Sequence, residues 1–194
     1  MSTFSRYVLR ATLVAAAFAG GITSANAYMI DPTTKEPIIA QPSRARGSSV
    51  PKEIVSYETS HRAGTIIVNT TERRLYLVMP DGKALRYGIG VGRDGFQWGG
   101  AHSISMKREW PDWRPPSAML KRQPDLPRFM PGGPQNPLGA RAMYLGSSIY
   151  RIHGSNEPWT IGTAVSSGCF RMTNDDVADL YERVNVGTRV VVMR

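Results

Sequence analysis

"GTIIVNTTERRLYLVMPDGKALRYGIGVG", residues 64–92, decides what kind of fold this chain makes. Thr65 to Asn69 and Arg74 to Met79 are rich in β-branched, aromatic and aliphatic residues, with the polar run Thr70-Thr71-Glu72-Arg73 between them. Such side chains fit a pleated, half-buried surface, so the pattern predicts a hairpin. Pro80-Asp81-Gly82-Lys83 carries turn chemistry and leads the chain into a third segment, "ALRYGIGVG". Three antiparallel strands in succession follow.

Downstream, His102 to Arg108, Arg141 to Gly146, Ser148 to His153 and Thr188 to Met193 are further strand candidates. Thr173 followed by Asp176 resembles a capping box, and Val177, Leu180, Tyr181 and Val184 recur at helical spacing after it. The expected architecture is mainly β with minor α, including one amphipathic helix directly after the single cysteine. No internal repeat is visible.

Upstream, residues 28–60 hold four prolines, many polar residues and no sustained period, which reads as a disordered tether. The first 27 residues have Arg6 and Arg10, then an apolar run from Ala11 to Ile22, then Ala25-Asn26-Ala27. A basic start, an apolar stretch short for a bilayer and small residues two apart describe a secretory signal cut after Ala27. An uncleaved membrane anchor is the alternative. The expected layout is signal peptide 1–27, tether 28–60 and one domain over 61–194, with a periplasmic location and no integral membrane domain once the signal is cut.

The chain carries a net charge of +9, of which the signal accounts for +2, leaving 9 − 2 = +7 on the exported part. That excess favours anionic surroundings such as cell-wall polymer or lipid headgroups. The basic residues are dispersed and form no nucleic-acid recognition module, so no nucleic-acid partner is expected. No His or Asp/Glu pair has metal-ligand spacing, and "GIGVGRDG" follows a strand without opening a helix, so it reads as a turn rather than a phosphate cradle. Neither metal nor cofactor is expected.

Between Glu109 and Ala140 lies a long insertion with eight of the fourteen prolines, Trp110 and Trp113. A short helix over about Ser117 to Gln123 is expected after Pro115-Pro116. Long insertions in compact domains are commonly functional or structured by packing. Two readings stand: a wall over a cleft lined by the tryptophans, or a loop packed down by its own aromatic and proline residues.

One cysteine, Cys169, cannot form an intramolecular disulfide, and a free thiol in an oxidising compartment is either buried or useful. It sits in "SSGCFRM", and "SIYRIHG" places His153 at the end of a strand-like run sixteen positions earlier. A neighbouring imidazole turns a thiol into an effective nucleophile. Gly168 permits a tight bend, so amides around Gly168 and Cys169 can face a developing oxyanion. Arg171 either grips a substrate carboxylate or braces the loop through backbone carbonyls. Spacing obliges no Asp or Asn to orient the histidine, so composition leaves both a dyad and an inert buried cysteine open.

"IHGSNEPWTIG" leading to "SSGCFRM" resembles the signature of the L,D-transpeptidase catalytic domain, the YkuD domain of the ErfK/YbiS/YcfS/YnhG type: an HG element, an interval, then S-x-G-C-x-R and an aliphatic residue. The likeness extends to the early strand pair, "GVGR", "EWPDWRPP", "PGGPQNPLGARAMYLG" and the terminal "VGTRVVV", about residues 62 to 194. It implies a β-sandwich-like domain whose cysteine attacks a peptidoglycan stem peptide. On that likeness Cys169 is the nucleophile, His153 the general base, and Gly154 supplies the carbonyl that orients the ring. Ser166, Ser167, Gly168 and Arg171 fall at substrate-binding or oxyanion positions. The thiolate would attack the third stem residue, release D-alanine and pass the acyl group to a stem amine, to an outer-membrane or lipoprotein acceptor, or to water. Two departures stand out: Ser167 where many members have histidine, and "WGGAHSIS" where many carry T-P-x-G, with His102 near that place. A rival reading is a secreted wall-binding module without turnover.

Overall fold

The computed structural model describes residues 50–194, together with the backbone of residues 29–30 and 37–38. The expected signal peptide, and most of the expected tether, lie outside the described residues. The chain divides into two units, Met1–Ser43 and Arg44–Arg194. In the first, β1 (Met29–Ile30) pairs antiparallel with β2 (Pro37–Ile38).

In the second unit the predicted hairpin forms at the predicted place. β4 (Ile66–Asn69), β5 (Arg74–Met79) and β6 (Lys83–Gly88) make an antiparallel meander, Ile66 opposite Leu77 and Leu77 opposite Leu85. Before it comes β3 (Glu53–Ser56), which pairs antiparallel with β6 and puts an edge strand where a tether was expected. The reason is local: Val55 and Tyr57 pack on the outer face of the meander, Tyr57 stacks on Tyr76 at 4.4 Å, and Glu53 pairs with Arg86 across the ladder. Four apolar or aromatic positions, Ile67, Tyr76, Val78 and Ala84, need that cover.

β7 (Val91–Gly92) and the ten-residue β8 (Gly100–Glu109) follow, then α1 (Ser117–Arg122) within the insertion. β9 (Arg141–Leu145) and β10 (Arg151–His153) come next. β10 starts three residues later than expected because Ser148 closes a turn, its hydroxyl donating to the Leu145 carbonyl at 2.6 Å. β11 (Ala164–Ser166), β12 (Phe170–Arg171), α2 (Asn174–Arg183) and β13 (Arg189–Met193) complete the chain.

Nine strands form one sheet in the order β12-β10-β9-β8-β13-β4-β5-β6-β3, and β7 pairs separately with β11. Strands from both ends of this order share one core: Leu75, Leu85 and Tyr87 pack in the same cluster as Met143, Ile152, Phe170 and Met172. The sheet therefore folds over on itself, the β-sandwich-like arrangement expected, with Val177, Leu180 and Val184 of the α2 region in the same cluster. Burying each such side chain contributes about 1.5–3 kcal/mol. α2 begins where its cap predicts, the Thr173 hydroxyl accepting the Asp176 N–H at 3.1 Å, worth about 1 kcal/mol. Its far end is met by Lys107, whose ammonium donates to the carbonyls of Tyr181 and Val184, both at 2.6 Å. The Tyr87 hydroxyl donates to Asp179 at 2.6 Å and ties β6 to the same helix.

Candidate active site

The parallel pairing of β10 with β12 puts the strand that ends in His153 beside the strand that directly follows Cys169. Ile152 stands opposite Phe170 and His153 opposite Arg171, and the Met172 amide donates to the His153 carbonyl at 2.8 Å. Cys169, immediately before β12, thus lies at the β10 edge, level with the start of that strand.

The loop that presents Cys169 is held by side chains and by shape. Ser166, at the end of β11, donates its hydroxyl to the Cys169 carbonyl at 2.6 Å and accepts the Gly168 N–H at 3.1 Å. Trp98 donates its indole N–H to the Gly168 carbonyl at 2.7 Å. Gly168 has φ +107°, and a Cβ there would lie 2.5 Å from Tyr150 Cε1, so both conformation and space demand glycine. Trp98 stacks on Tyr150 at 4.3 Å and leans on Phe170, forming an aromatic floor under the loop.

His153 is buried, and its Nδ1 lies 2.6 Å from the Gly154 carbonyl. A carbonyl only accepts, so Nδ1 carries the proton and Nε2 is left as the base. Gly154 is itself fixed: its N–H donates to the Arg141 carbonyl at 3.0 Å, and a Cβ would collide with Asn174 Oδ1. That same Oδ1 accepts the Ala140 N–H at 2.9 Å and the Ser155 N–H at 3.3 Å. Burial, with the Arg171 and Arg151 charges adding to it, pushes the imidazole down to about 3; the Gly154 bond opposes this. The ring is neutral at ordinary pH.

Cys169 is half-buried, and its thiol donates a long contact to the Ile149 carbonyl at 3.9 Å. Burial pushes the thiol up, opposed by Arg151 and, less, by Arg171. The resting site therefore holds a thiol on the loop before β12 and a neutral imidazole at the end of β10, the neighbouring strand.

Among the remaining expected residues, Ser166 and Gly168 build the loop rather than face outward: the Gly168 N–H is already bound to Ser166. Among the described residues neither the Ser167 nor the Cys169 N–H has a partner. Arg171 is braced, its guanidinium pairing with Glu157 at 2.7 Å and its backbone exchanging two 2.9 Å bonds with Gly90. Ser167 accepts a 3.5 Å contact from Arg122 of α1, so the insertion reaches the cysteine loop through that arginine. Arg122 and Arg93 both lie over the Phe96 ring, at 5.0 and 4.5 Å.

Trp110 is exposed and Trp113 forms a backbone bridge with Met130, so the insertion is folded largely by its own contacts. Its hub is the buried Asn136, whose amide donates to the carbonyls of Pro111, Met130 and Pro131. His102 meets Trp98 edge-on at 5.2 Å, one ring removed from the cysteine loop. Asn174, Trp98, Asn136 and Arg151 were not legible in the sequence as site residues: Asn174 and Trp98 act on backbone far along the chain, Asn136 gathers carbonyls within the insertion, and Arg151 meets the cysteine loop only through the β10–β12 pairing. Among the described residues no group of three His, Cys, Asp or Glu could hold a metal, and no helix is long and apolar enough to cross a membrane.

A neutral histidine with a fixed tautomer ends β10, and the single thiol lies on a stapled glycine turn just before the neighbouring strand β12. The profile of the L,D-transpeptidase catalytic domain (YkuD) matches residues 63–192, and this chain belongs to that family. It is 38% identical over 154 residues to the protein described as "Probable L,D-transpeptidase ErfK/SrfK" of Escherichia coli (strain K12), a match that takes in 75% of this chain and 48% of that protein. The chain thus spans about half the length of the curated relatives it matches. Among solved structures, a Brucella melitensis protein described as "Probable carnitine operon oxidoreductase caia" is 46% identical, with TM-score 0.52 and coverage of 76% of this chain and 96% of that one. An L,D-transpeptidase from Mycobacterium smegmatis shares the fold at 17% identity, TM-score 0.53, over 67% of this chain and 58% of that one.

Proposed function

We propose that this protein is a periplasmic peptidoglycan L,D-transpeptidase. The observation that supports the reading is the β10–β12 pairing, which puts the strand ending in a tautomer-fixed His153 next to the strand that directly follows the chain's one cysteine, in a member of this family. As Cys169 Sγ attacks the carbonyl of the third stem residue, its proton passes to His153 Nε2. The oxyanion meets the Cys169 N–H. Collapse breaks the bond to terminal D-alanine, whose departing amine takes the proton back from His153, leaving a thioester on Cys169. An amine acceptor then attacks the thioester, His153 accepting its proton; the C–S bond breaks and the departing sulfur takes that proton back, restoring the Cys169 thiol. Another stem as acceptor gives a cross-link, an outer-membrane or lipoprotein lysine gives an anchored protein, and water in place of the amine gives a carboxypeptidase product.

Dispersed positive charge, including Arg93, Arg114, Lys121, Arg122 and Arg128 around the cysteine loop and insertion, suits an anionic polymer. Export through the first 27 residues belongs to the same reading.

Cys169→Ala should abolish D-alanine release from tetrapeptide stems while the domain stays folded. Whole-protein mass spectrometry after incubation with a carbapenem should show an adduct on Cys169 that is lost in His153→Ala. Undiminished D-alanine release from Cys169→Ala would overturn the reading. Wall binding without any change in muropeptides would establish a non-catalytic binding module instead.

A further inference from the structure

Two guanidinium groups approach Cys169 under different circumstances. Arg171 has a carboxylate partner in Glu157 at 2.7 Å. Arg151 has none among the described residues. Its Nη1 donates to the Ile149 carbonyl at 3.1 Å, the same oxygen that receives the Cys169 thiol at 3.9 Å. Its Nε is buried without a hydrogen-bond partner, and its Cζ lies 4.9 Å from the centre of the Tyr144 ring. The parallel register places it on the rung of Cys169, directly before the Ile152–Phe170 pair.

A partly buried cation without an anion is costly, and an anion placed beside it would offset that cost. Tyr144 and one carbonyl hold this group in place but neutralise little of its charge.

We propose that Arg151 is the residue that holds the Cys169 thiolate, sharing the Ile149 carbonyl with the thiol at rest and taking up the sulfur's charge once the proton has gone to His153 Nε2. In the thiol form, Sγ–H and Nη1–H both point at Ile149 O. Deprotonation removes the S–H donor, and the thiolate then has a guanidinium anchored beside it rather than bulk water. The same cation disfavours a charged imidazole, so Arg151 stabilises the sulfur's charge without locking the ring as imidazolium. Arg171, already committed to Glu157, contributes less to the sulfur. This assignment rests on the reading of Cys169 as the nucleophile.

The test is the pH dependence of Cys169 alkylation by iodoacetamide, followed on the whole protein by intact mass from about pH 6 to about pH 10, a window that brackets the usual thiol value. Arg151→Gln should move the midpoint up by about one unit, lowering the alkylation rate at pH 7 about tenfold. Arg151→Lys, which keeps the charge, should restore most of the rate. An unchanged midpoint in folded Arg151→Gln would overturn the proposal. So would an unchanged midpoint joined to a raised KM for tetrapeptide, which would make Arg151 a substrate-carboxylate site. Should Arg151→Gln fail to fold, a full-unit upward shift in folded Arg151→Lys overturns it equally. Alkylation needs no peptidoglycan, so loss of the transpeptidase reading, seen as turnover by Cys169→Ala, is a separate result.

Discussion

The β4–β6 meander and the β10–β12 edge of the same sheet are held together by different physics. In the meander, Ile66, Val68, Leu75, Leu77 and Leu85 fill one core, and each contributes by the area it removes from water. At the site edge, single polar atoms carry two duties each. Ser166 Oγ binds both Gly168 N–H and Cys169 C=O, Asn174 Oδ1 receives two amides, and the Ile149 carbonyl receives both a thiol and a guanidinium. An apolar contact tolerates a neighbour of similar volume, whereas an atom with two partners tolerates no substitute. Both ends share one core, so substitutions in the meander should cost stability alone, whereas polar substitutions at the site edge should cost turnover beyond their effect on stability.

The largest effect on stability should come from the meander. Leu75 is fully buried, and Leu75→Ala should cost about 2–5 kcal/mol in chemical denaturation, with turnover per folded molecule unchanged. Lost activity beyond the folded fraction would break the division. Ser166→Ala should cost less, about 1–3 kcal/mol, because it strands a buried N–H and a carbonyl. Turnover should nevertheless fall more than tenfold as the cysteine loop loosens, the scale of misplacing a reacting group. A Ser166→Ala enzyme with normal turnover would show that Trp98 and Gly168 hold the loop by themselves.

The same contrast explains what could be seen in the sequence. The meander was legible because burial writes a local pattern: runs of β-branched, aromatic and aliphatic residues, a polar turn between them, then Asp81-Gly82. The helix after the cysteine was legible through Thr173 and the 177/180/184 spacing. Cys169 and His153 could be named, but the adjacency of their strands depends on β10 lying parallel to β12, a long-range choice that no local pattern records. β3 was missed because Val55 and Tyr57 sit among prolines and charges, and only the opposing Tyr76 reveals their inward face. Asn174 and Arg151 stayed hidden for a different reason. Each looks ordinary beside its neighbours, a helix-start residue and a strand arginine; Asn174 acquires meaning from the distant Ala140 and Ser155 amides, and Arg151 from the cysteine loop that the β10–β12 pairing brings alongside it. Arg171 could be narrowed to two roles, and the Glu157 partner that weights it toward bracing lies fourteen residues upstream.

The smallest effect sharpens the comparison through pH. His153 is neutral and buried in the folded chain, its value pushed down to about 3, while in the unfolded chain it returns to about 6.5. Above pH 6.5 both states are neutral and the full stability is present. Below it the unfolded chain takes a proton that the folded chain refuses until about pH 3, so stability falls as pH drops through that window. Between pH 6.5 and 5.5 one such group costs about 1 kcal/mol, a range in which most carboxylates have not begun to protonate. Denaturation midpoints should fall over this interval in the parent and stay nearly level in His153→Asn, whose amide still has a donor for the Gly154 carbonyl. Equal slopes in the two proteins would mean that the imidazole is not held neutral, and the proton would then already sit on Nε2, where a general base cannot use it.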